Sequence, residues 1–227
     1  CSTALLIRYF KHIKHQHFYY IPDRVQDGYG PSITLLQKLI LKKPKLIIMV
    51  DCGSTSNEAI DYLNHNKIKS IIIDHHEINK PYPKSDAIIN PKKNINYNGY
   101  DYLCATTLTY FFIDTVIKRK KSNFKLSNFL IYVLLATVCD VMPLRKFNKI
   151  IASQTLRNFK LDDNLAFKTI FDKSNLKKEL CIDDLGFLIG PIINSGGRLG
   201  YPTYGTELLS SDDSTLIEKK TTKLINL

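Results

Sequence analysis

The sequence SIIIDHHE at residues 70–77 is an apolar run that ends abruptly in an acid, two histidines and a second acid. The same change occurs in LIIMVDCG at residues 46–53, where the apolar run ends at Asp51. Continuous apolar runs of this length are typical of parallel strands that are buried on both faces. Residues 87–89 are a further candidate strand. Because helical patterns separate these runs, the sequence predicts an α/β fold with a parallel sheet flanked by helices.

The pattern on both sides of these strands is mostly helical. The predicted helices lie at 2–14, 32–41, 56–64, 104–120, 127–139, 147–158, 163–172, 182–189 and from 212 onward. A short aromatic strand is predicted at 18–21, and a stiff loop rich in glycine at 189–204. We therefore expect one domain, with an α/β sheet part over residues 1–100 and a mainly helical part over residues 101–227.

Composition excludes several classes of protein. The 227 residues are 44% hydrophobic and 23% charged, which is typical of a folded globular chain rather than a disordered one. The longest charge-free apolar run, residues 129–139, is too short to span a bilayer, and no signal peptide pattern precedes it. Five scattered cysteines without a CxxC pair indicate a reducing cytoplasm and argue against a disulfide framework or a structural zinc site.

Charge gives weaker information. Lysine and arginine outnumber aspartate and glutamate by 32 to 21, so the formal net charge is +11. Such an excess favours a polyanionic partner. Nearly all of it is lysine, however, and a solvated lysine-rich surface would give the same count. Nothing in the sequence indicates an oligomeric state.

Two strands end in side chains that bind metals. Asp51 follows the first apolar run, and Asp74, His75 and His76 follow the second. Carboxyl ends of parallel strands meet at one edge of a sheet, where ligands bind. Oxygen and imidazole ligands suit Mn²⁺, Mg²⁺ or Zn²⁺. Asp140 is a further candidate, because it ends a strongly apolar helix where an unpaired charge is costly.

Two other segments have features of phosphate or base contacts. In GPIINSGGRLG (190–200), Arg198 lies among glycines, so its planar side chain and nearby backbone amides can meet a phosphate. In PDRVQDGYGP (22–31), Arg24 and Tyr29 lie in a segment rich in turn residues, and a tyrosine can stack on a base. Both compositions are also those of ordinary surface loops.

The motifs together resemble those of the DHH phosphoesterases and, within that family, the RecJ-type exonucleases. The resemblance covers essentially the whole chain, in matching order and spacing. It rests on IPDRVQDGYGPS (21–32), IIMVDCG (47–53), IIIDHHE (71–77), INPKK (89–93), YLCATTLTYFF (102–112), LLATVCDVMPL (134–144) and IGPIINSGGRLG (189–200). The DHH triplet alone is shared with pyrophosphatases and small-nucleotide phosphodiesterases, and the DGYGP and GPIIN motifs are more specific.

The resemblance implies roles for the residues at the strand ends. Asp51 resembles a carboxylate that bridges two divalent metals, and His75 and Asp140 resemble further metal ligands. His76 is expected to contact the substrate phosphate or assist proton transfer. Asp74 is expected to orient the histidines from behind.

The resemblance also implies a substrate and a chemistry. Arg198, Asn194 and the backbone of Gly196 and Gly197 are expected to hold a DNA phosphate. The implied reaction is two-metal hydrolysis of phosphodiester bonds with Mn²⁺ or Mg²⁺. The implied substrate is single-stranded DNA, degraded from its 5′ end in repair and recombination. A single-strand-binding protein is a possible partner.

One departure from the family pattern concerns the metal site. The family's first motif, Asp-x-Asp-x-Asp-Gly, has no match here, since the sequence opens with residues that resemble those after it. We expect a domain truncated at both ends, with one metal half-site retained and little activity from the chain alone. Two alternatives stay open: a DHH phosphodiesterase acting on short oligonucleotides or cyclic dinucleotides, and a catalytically dead scaffold that binds DNA.

Overall fold

A three-stranded parallel sheet organises the first part of the chain in the computed structural model, which describes residues 1–23, 27–28, 30–93 and 99–227. The strands are β1 (Leu46–Val50), β2 (Lys69–Ile73) and β3 (Ala87–Ile89), in the order β1-β2-β3. Val50 pairs with Ile73, and Ile73 pairs with Ile89. All three strands therefore end at the same level, and the polar residues after them emerge at one edge.

Helices make up most of the remainder. They are α1 (Ser2–His12), α2 (Ile33–Ile40), α3 (Asn57–His65), α4 (Ala105–Lys120), α5 (Leu130–Cys139), α6 (Lys146–Asn158), α7 (Leu165–Lys173), α8 (Ile182–Asp184), α9 (Gly190–Arg198), α10 (Tyr204–Ser210) and α11 (Ser214–Ile225). A π-helical turn, Leu185–Ile189, connects α8 to α9. No helix in the described part of the chain is both long and apolar enough to cross a membrane.

The largest apolar core surrounds α5. Every residue from Ile131 to Thr137 is buried, as expected for a helix that is apolar on all sides. Tyr132 packs near Phe167, and its hydroxyl donates a 2.6 Å hydrogen bond to the Leu209 carbonyl, so its one polar atom is satisfied. Burial of such side chains stabilises the fold by roughly 1.5–3 kcal/mol each. This packing fixes the position at which α5 ends, and Asp140 follows directly.

The predicted fold class is confirmed, and two local predictions are wrong. The aromatic segment 18–21 is not a strand: Phe18 and Tyr20 are exposed, and no described strand pairs with them. The segment 189–204 is not a loop, because α9 and the start of α10 lie within it. Pro191 occupies the first turn of α9, a position at which proline is common in helices.

Glycine in α9 serves close packing of helices rather than loop flexibility. A Cβ on Gly190 would lie 2.5 Å from Cys139 Sγ and 2.8 Å from the Leu185 carbonyl oxygen. A Cβ on Gly196 would lie 2.7 Å from the Tyr201 carbonyl oxygen. All three distances are far below van der Waals contact, so only glycine allows the observed approach of backbone and side chain.

Candidate metal centre

Asp51 leaves β1 in an unusual backbone conformation. Its φ is +62°, in the left-handed region that few residues other than glycine and asparagine adopt, while its N–H still donates to the Ile73 carbonyl at 2.9 Å. Gly53 completes the turn with φ +106°, and a Cβ there would lie 3.3 Å from Ile72 and Met49. The strand end thus turns back over the sheet and leaves the Asp51 side chain 49% exposed.

His75 faces Asp51 across the edge of the sheet. Its Nε2 lies 3.3 Å from Asp51 Oδ1, and its side chain is only 12% exposed. The hydrogen bond with the Asp51 carboxylate raises the pKa of His75, and this outweighs the opposite effect of burial. The two side chains therefore face each other at the edge of the sheet, and an ion that bound both would displace the proton between Nε2 and the carboxylate.

Asp74 is the buried acceptor that organises this edge. Its Oδ2 accepts from the Ser54 backbone N–H at 3.1 Å, and its Oδ1 accepts from the His75 N–H at 2.8 Å. Oδ1 also lies 2.7 Å from His76 Nδ1. Burial raises the pKa of Asp74, but the hydrogen bonds from Ser54 and His76 outweigh it and hold that pKa below its usual range. Asp74 is thus a carboxylate, and His76 Nδ1 carries the proton in this pair.

The Asp74 contact fixes the tautomer of His76. With Nδ1 protonated, Nε2 of the neutral ring has a free lone pair, and the ring itself is mostly exposed. The Asn90 side-chain amide holds the same segment from β3, since it donates to the His76 carbonyl at 2.9 Å and to Ser54 Oγ at 2.8 Å. Nε2 of His76 can therefore bind a cation or accept a proton.

Asp51, His75 and His76 form a group that fits a divalent ion. Each offers one ligand atom, and these atoms all lie within 4.8 Å of one another. Two ligands about 2.1 Å from one ion, at right angles, are about 3.0 Å apart. The 3.3 Å between Asp51 Oδ1 and His75 Nε2 is close to that value. One carboxylate with two imidazoles suits Mn²⁺ or Zn²⁺ and accommodates Mg²⁺ through the oxygen.

Asp140 lies next to this group but is not a member of it. It follows α5 directly and is exposed in this chain. Partial desolvation raises the pKa of Asp140, and the neighbouring Asp51 carboxylate raises it further. Two carboxylates that repel each other in this way are stabilised by a cation between or beside them. The predicted role of Asp140 as a metal ligand stays a prediction.

The predicted phosphate-binding residues lie on α9. Asn194 and Arg198 are exposed, and the Arg198 guanidinium makes no ion pair within the described residues. Gly196 and Gly197 lie inside the last turns of the helix, where backbone N–H groups bond to preceding carbonyls. The two side chains are thus the parts of this segment that are open to a ligand. Arg24 and Tyr29 lie outside the described residues.

Sequence reasoning did not single out two residues of this edge. Ser54 supplies a backbone N–H to Asp74, and Asn90 connects β3 to the segment with the histidines. Their positions in the sequence could have identified both residues. Ser54 follows the glycine after β1, and Asn90 follows β3 directly. Each comes after a strand on the edge where Asp51 and Asp74 emerge.

The family is decided by a match over most of the chain. The model of the DHH family, N-terminal domain, matches residues 1–137. The chain belongs to the DHH family. The motif resemblance is thereby confirmed for the family.

This DHH-family chain is also similar to curated relatives that are named single-stranded-DNA-specific exonuclease RecJ. The relative from Haemophilus influenzae is 29% identical over 223 residues, which cover 93% of this chain and 39% of the relative. The relative from Thermus thermophilus is 25% identical, with 94% of this chain and 31% of the relative covered. The DHH-family chain thus spans about two fifths or less of the length of these relatives.

Solved structures share the fold. A crystal structure of exonuclease RecJ bound to manganese superimposes with a TM-score of 0.88 at 21% identity, covering 99% of this DHH-family chain and 57% of that one. The crystal structure of RecJ from Thermus thermophilus in complex with Mn²⁺ gives a TM-score of 0.82 at 20% identity, with coverage of 99% and 32%. At these identities the likeness establishes the architecture.

Proposed function

We propose that this chain is the metal-binding domain of an exodeoxyribonuclease that degrades single-stranded DNA from its 5′ end, in DNA repair and recombination in the cytoplasm. The convergence of Asp51, His75 and His76 on one space, at the carboxyl edge of the sheet, carries the proposal. Relatives named as single-stranded-DNA-specific exonucleases support the substrate class. A single-strand-binding protein is a partner consistent with such a substrate.

Asp51, His75 and His76 would hold Mn²⁺ or Mg²⁺, with Asp140 beside them. A bound divalent ion polarises the phosphate and stabilises the charge that develops on its oxygens during hydrolysis. Asp74 contributes by keeping the proton on Nδ1 of His76, so that Nε2 faces outward. Through Nε2, His76 can bind the ion or exchange a proton with the phosphate group.

The single-stranded DNA would be held by α9. Arg198 offers a planar pair of donors to a phosphate, and Asn194 offers an amide on the same helix. Both are exposed, and among the described residues Arg198 forms no ion pair that binding would have to break. Arg24 and Tyr29 belong to the same proposal, as a phosphate contact and a base contact.

The first test measures metal binding rather than turnover. The chain is stripped with EDTA and titrated with Mn²⁺, and the free ion is followed by electron paramagnetic resonance. We expect Asp51→Asn to weaken Mn²⁺ binding about tenfold or more, because a ligand with negative charge is lost. Asp162→Asn is the control, since Asp162 is exposed and pairs with Lys168. Equal Mn²⁺ affinities of the Asp51 and Asp162 variants would contradict the proposed centre.

The second test addresses the substrate. With Mn²⁺ present, 5′-labelled and 3′-labelled single strands are compared with a duplex and a cyclic dinucleotide. We expect the chain to bind the single strand more tightly than the duplex, and hydrolysis to release the 5′ label before the 3′ label. Tighter binding of the duplex, or earlier release of the 3′ label, would contradict the proposal. Preference for the cyclic dinucleotide would instead favour the small-nucleotide phosphodiesterases.

A further inference from the structure

Two lysine-rich loops lie side by side at the amino ends of β1 and β2. The segments are KKPK at residues 42–45 and NKIK at residues 66–69. The Lys69 N–H donates to the Lys45 carbonyl at 3.2 Å, and Lys69 pairs with Leu46 in the sheet. Each loop connects a helix to a parallel strand, so the topology brings together lysines that are more than 20 positions apart.

The two loops border an open concavity of about 690 Å³. We call this concavity the lysine groove, and its lining includes Lys43, Lys45, Lys67 and Lys69. All four side chains are exposed, and none forms an ion pair with a described acid. Asp86, on the connection into β3, does not form an ion pair with these lysines. Its carboxylate instead accepts a 2.8 Å hydrogen bond from the Ser70 N–H. Four uncompensated cations around one concavity favour a ligand with several negative charges.

An exposed aromatic ring contacts Lys42, the residue that precedes Lys43 of the lysine groove. Lys42 Nζ lies 4.7 Å from the centre of the Phe18 ring, and Phe18 is 40% exposed although it is a large apolar side chain. Cations that follow a phosphate backbone, together with an exposed ring on which bases stack, are the usual components of a surface for single strands. A duplex keeps its bases paired and stacked on one another, so they cannot stack on the ring.

We propose that the lysine groove and Phe18 bind single-stranded DNA at the edge of the sheet opposite the metal centre. The five residues of β1 separate the groove from Asp51 by about 16 Å. The groove therefore contacts a part of the strand away from the bond that is cleaved. The choice of DNA as the nucleic acid rests on the proposed function, whereas the groove itself does not depend on the metal centre.

The experiment compares two variants that lose the same charge. The groove variant is K43Q/K45Q/K67Q/K69Q, and the control is K14Q/K120Q/K121Q/K125Q, at lysines that are likewise exposed. The sets also match in backbone, because Lys43 and Lys67 have positive φ in the first and Lys14 and Lys121 in the second. Binding of fluorescein-labelled oligo(dT) to the full chain is measured in EDTA over a range of NaCl concentrations.

Removal of the four lysine charges should reduce the dependence of oligo(dT) binding on salt concentration. Each phosphate contact on a single strand contributes about 0.7 to the slope of log affinity against log salt, so removal of four should lower the slope by about 3. We expect affinity to fall about tenfold or more, with little change in the control. Phe18→Leu should weaken oligo(dT) binding and leave the salt slope unchanged.

Three outcomes would overturn the inference. The first is an equal loss in both quadruple variants, which would show that net charge alone attracts the strand. The second is unchanged binding by the groove variant. The third is a larger loss for duplex DNA or for anionic lipid vesicles than for oligo(dT). Failure of the metal centre would appear separately, as unchanged Mn²⁺ binding by the Asp51 variant, so the two proposals fail independently.

Discussion

At the scale of single residues, the Asp74 carboxylate connects both histidines to the turn after β1. We expect Asp74→Asn to lower Mn²⁺ affinity by about 10- to 100-fold, since groups that orient metal ligands usually contribute that much. The amide has one acceptor oxygen, so its NH2 group must face either the Ser54 N–H or the His75 and His76 donors, and either arrangement disturbs the segment that holds the histidines. Titration with Mn²⁺, followed by electron paramagnetic resonance, measures the effect.

Asp86→Asn is the matched control for this residue. Asp86 also accepts a backbone hydrogen bond, from Ser70 at 2.8 Å, but at the opposite end of β2. Its loss should reduce the free energy of unfolding by about 1 kcal/mol and leave Mn²⁺ affinity as it is. Similar Mn²⁺ affinities in the Asp74 and Asp86 variants would show that Asp74 has only a structural role.

Sequence reasoning predicted the residues of this site better than their partners. Asp51, Asp74 and His75 follow apolar runs, and strand ends of a parallel sheet share an edge, so their proximity was predictable. The contacts of Asp74 with the Ser54 N–H and of Asn90 with the His76 carbonyl were not. They depend on the left-handed turn at Asp51 and on the register of β3, which no local pattern specifies.

At the scale of elements, the junction of α5 with α9 depends on Gly190. Its N–H closes the π-helical turn on the Leu185 carbonyl, and Cys139 Sγ occupies the space a Cβ would need. We expect Gly190→Ala to reduce the free energy of unfolding by about 1–3 kcal/mol through overpacking. Gly197→Ala, with nothing within 4 Å of its Cβ, should leave stability unchanged or raise it by about 0.5–1 kcal/mol. Urea unfolding of both variants measures the difference, and equal effects would refute this account of the junction.

The same glycines explain why α9 was predicted as a loop. Gly190, Gly196 and Gly197 lower helix propensity, and Pro191 adds a signal for a turn. In the folded chain, close packing against Cys139 and Tyr201 stabilises the helix despite that propensity. The strands 46–50 and 87–89 have no such conflict, and both were predicted with the bounds that the structure has.

At the scale of the whole molecule, the net charge of +11 makes the fold sensitive to acid, because each protonated carboxylate adds to the repulsion among lysines. Asp184 is a sensitive point: it is buried, lies 2.7 Å from Lys178 Nζ and accepts from the Cys181 N–H at 3.0 Å. Burial raises the pKa of Asp184, but the Lys178 and Cys181 hydrogen bonds outweigh it and hold that pKa below its usual value of 3.8.

A carboxyl group whose pKa is lowered by folding stabilises the native state above its usual pKa. That contribution is lost as the pH falls from about 4 through the lower pKa of the folded state. We therefore expect Asp184→Asn to reduce the free energy of unfolding by about 1–3 kcal/mol at neutral pH and to flatten the decline below pH 4. Asp162→Asn, at a surface pair with Lys168 that solvent screens, should change both parts of the curve little. Urea unfolding from about pH 2.5 to 7 provides the comparison, and an acid limb as steep in the Asp184 variant as in the parent chain would place the sensitivity elsewhere.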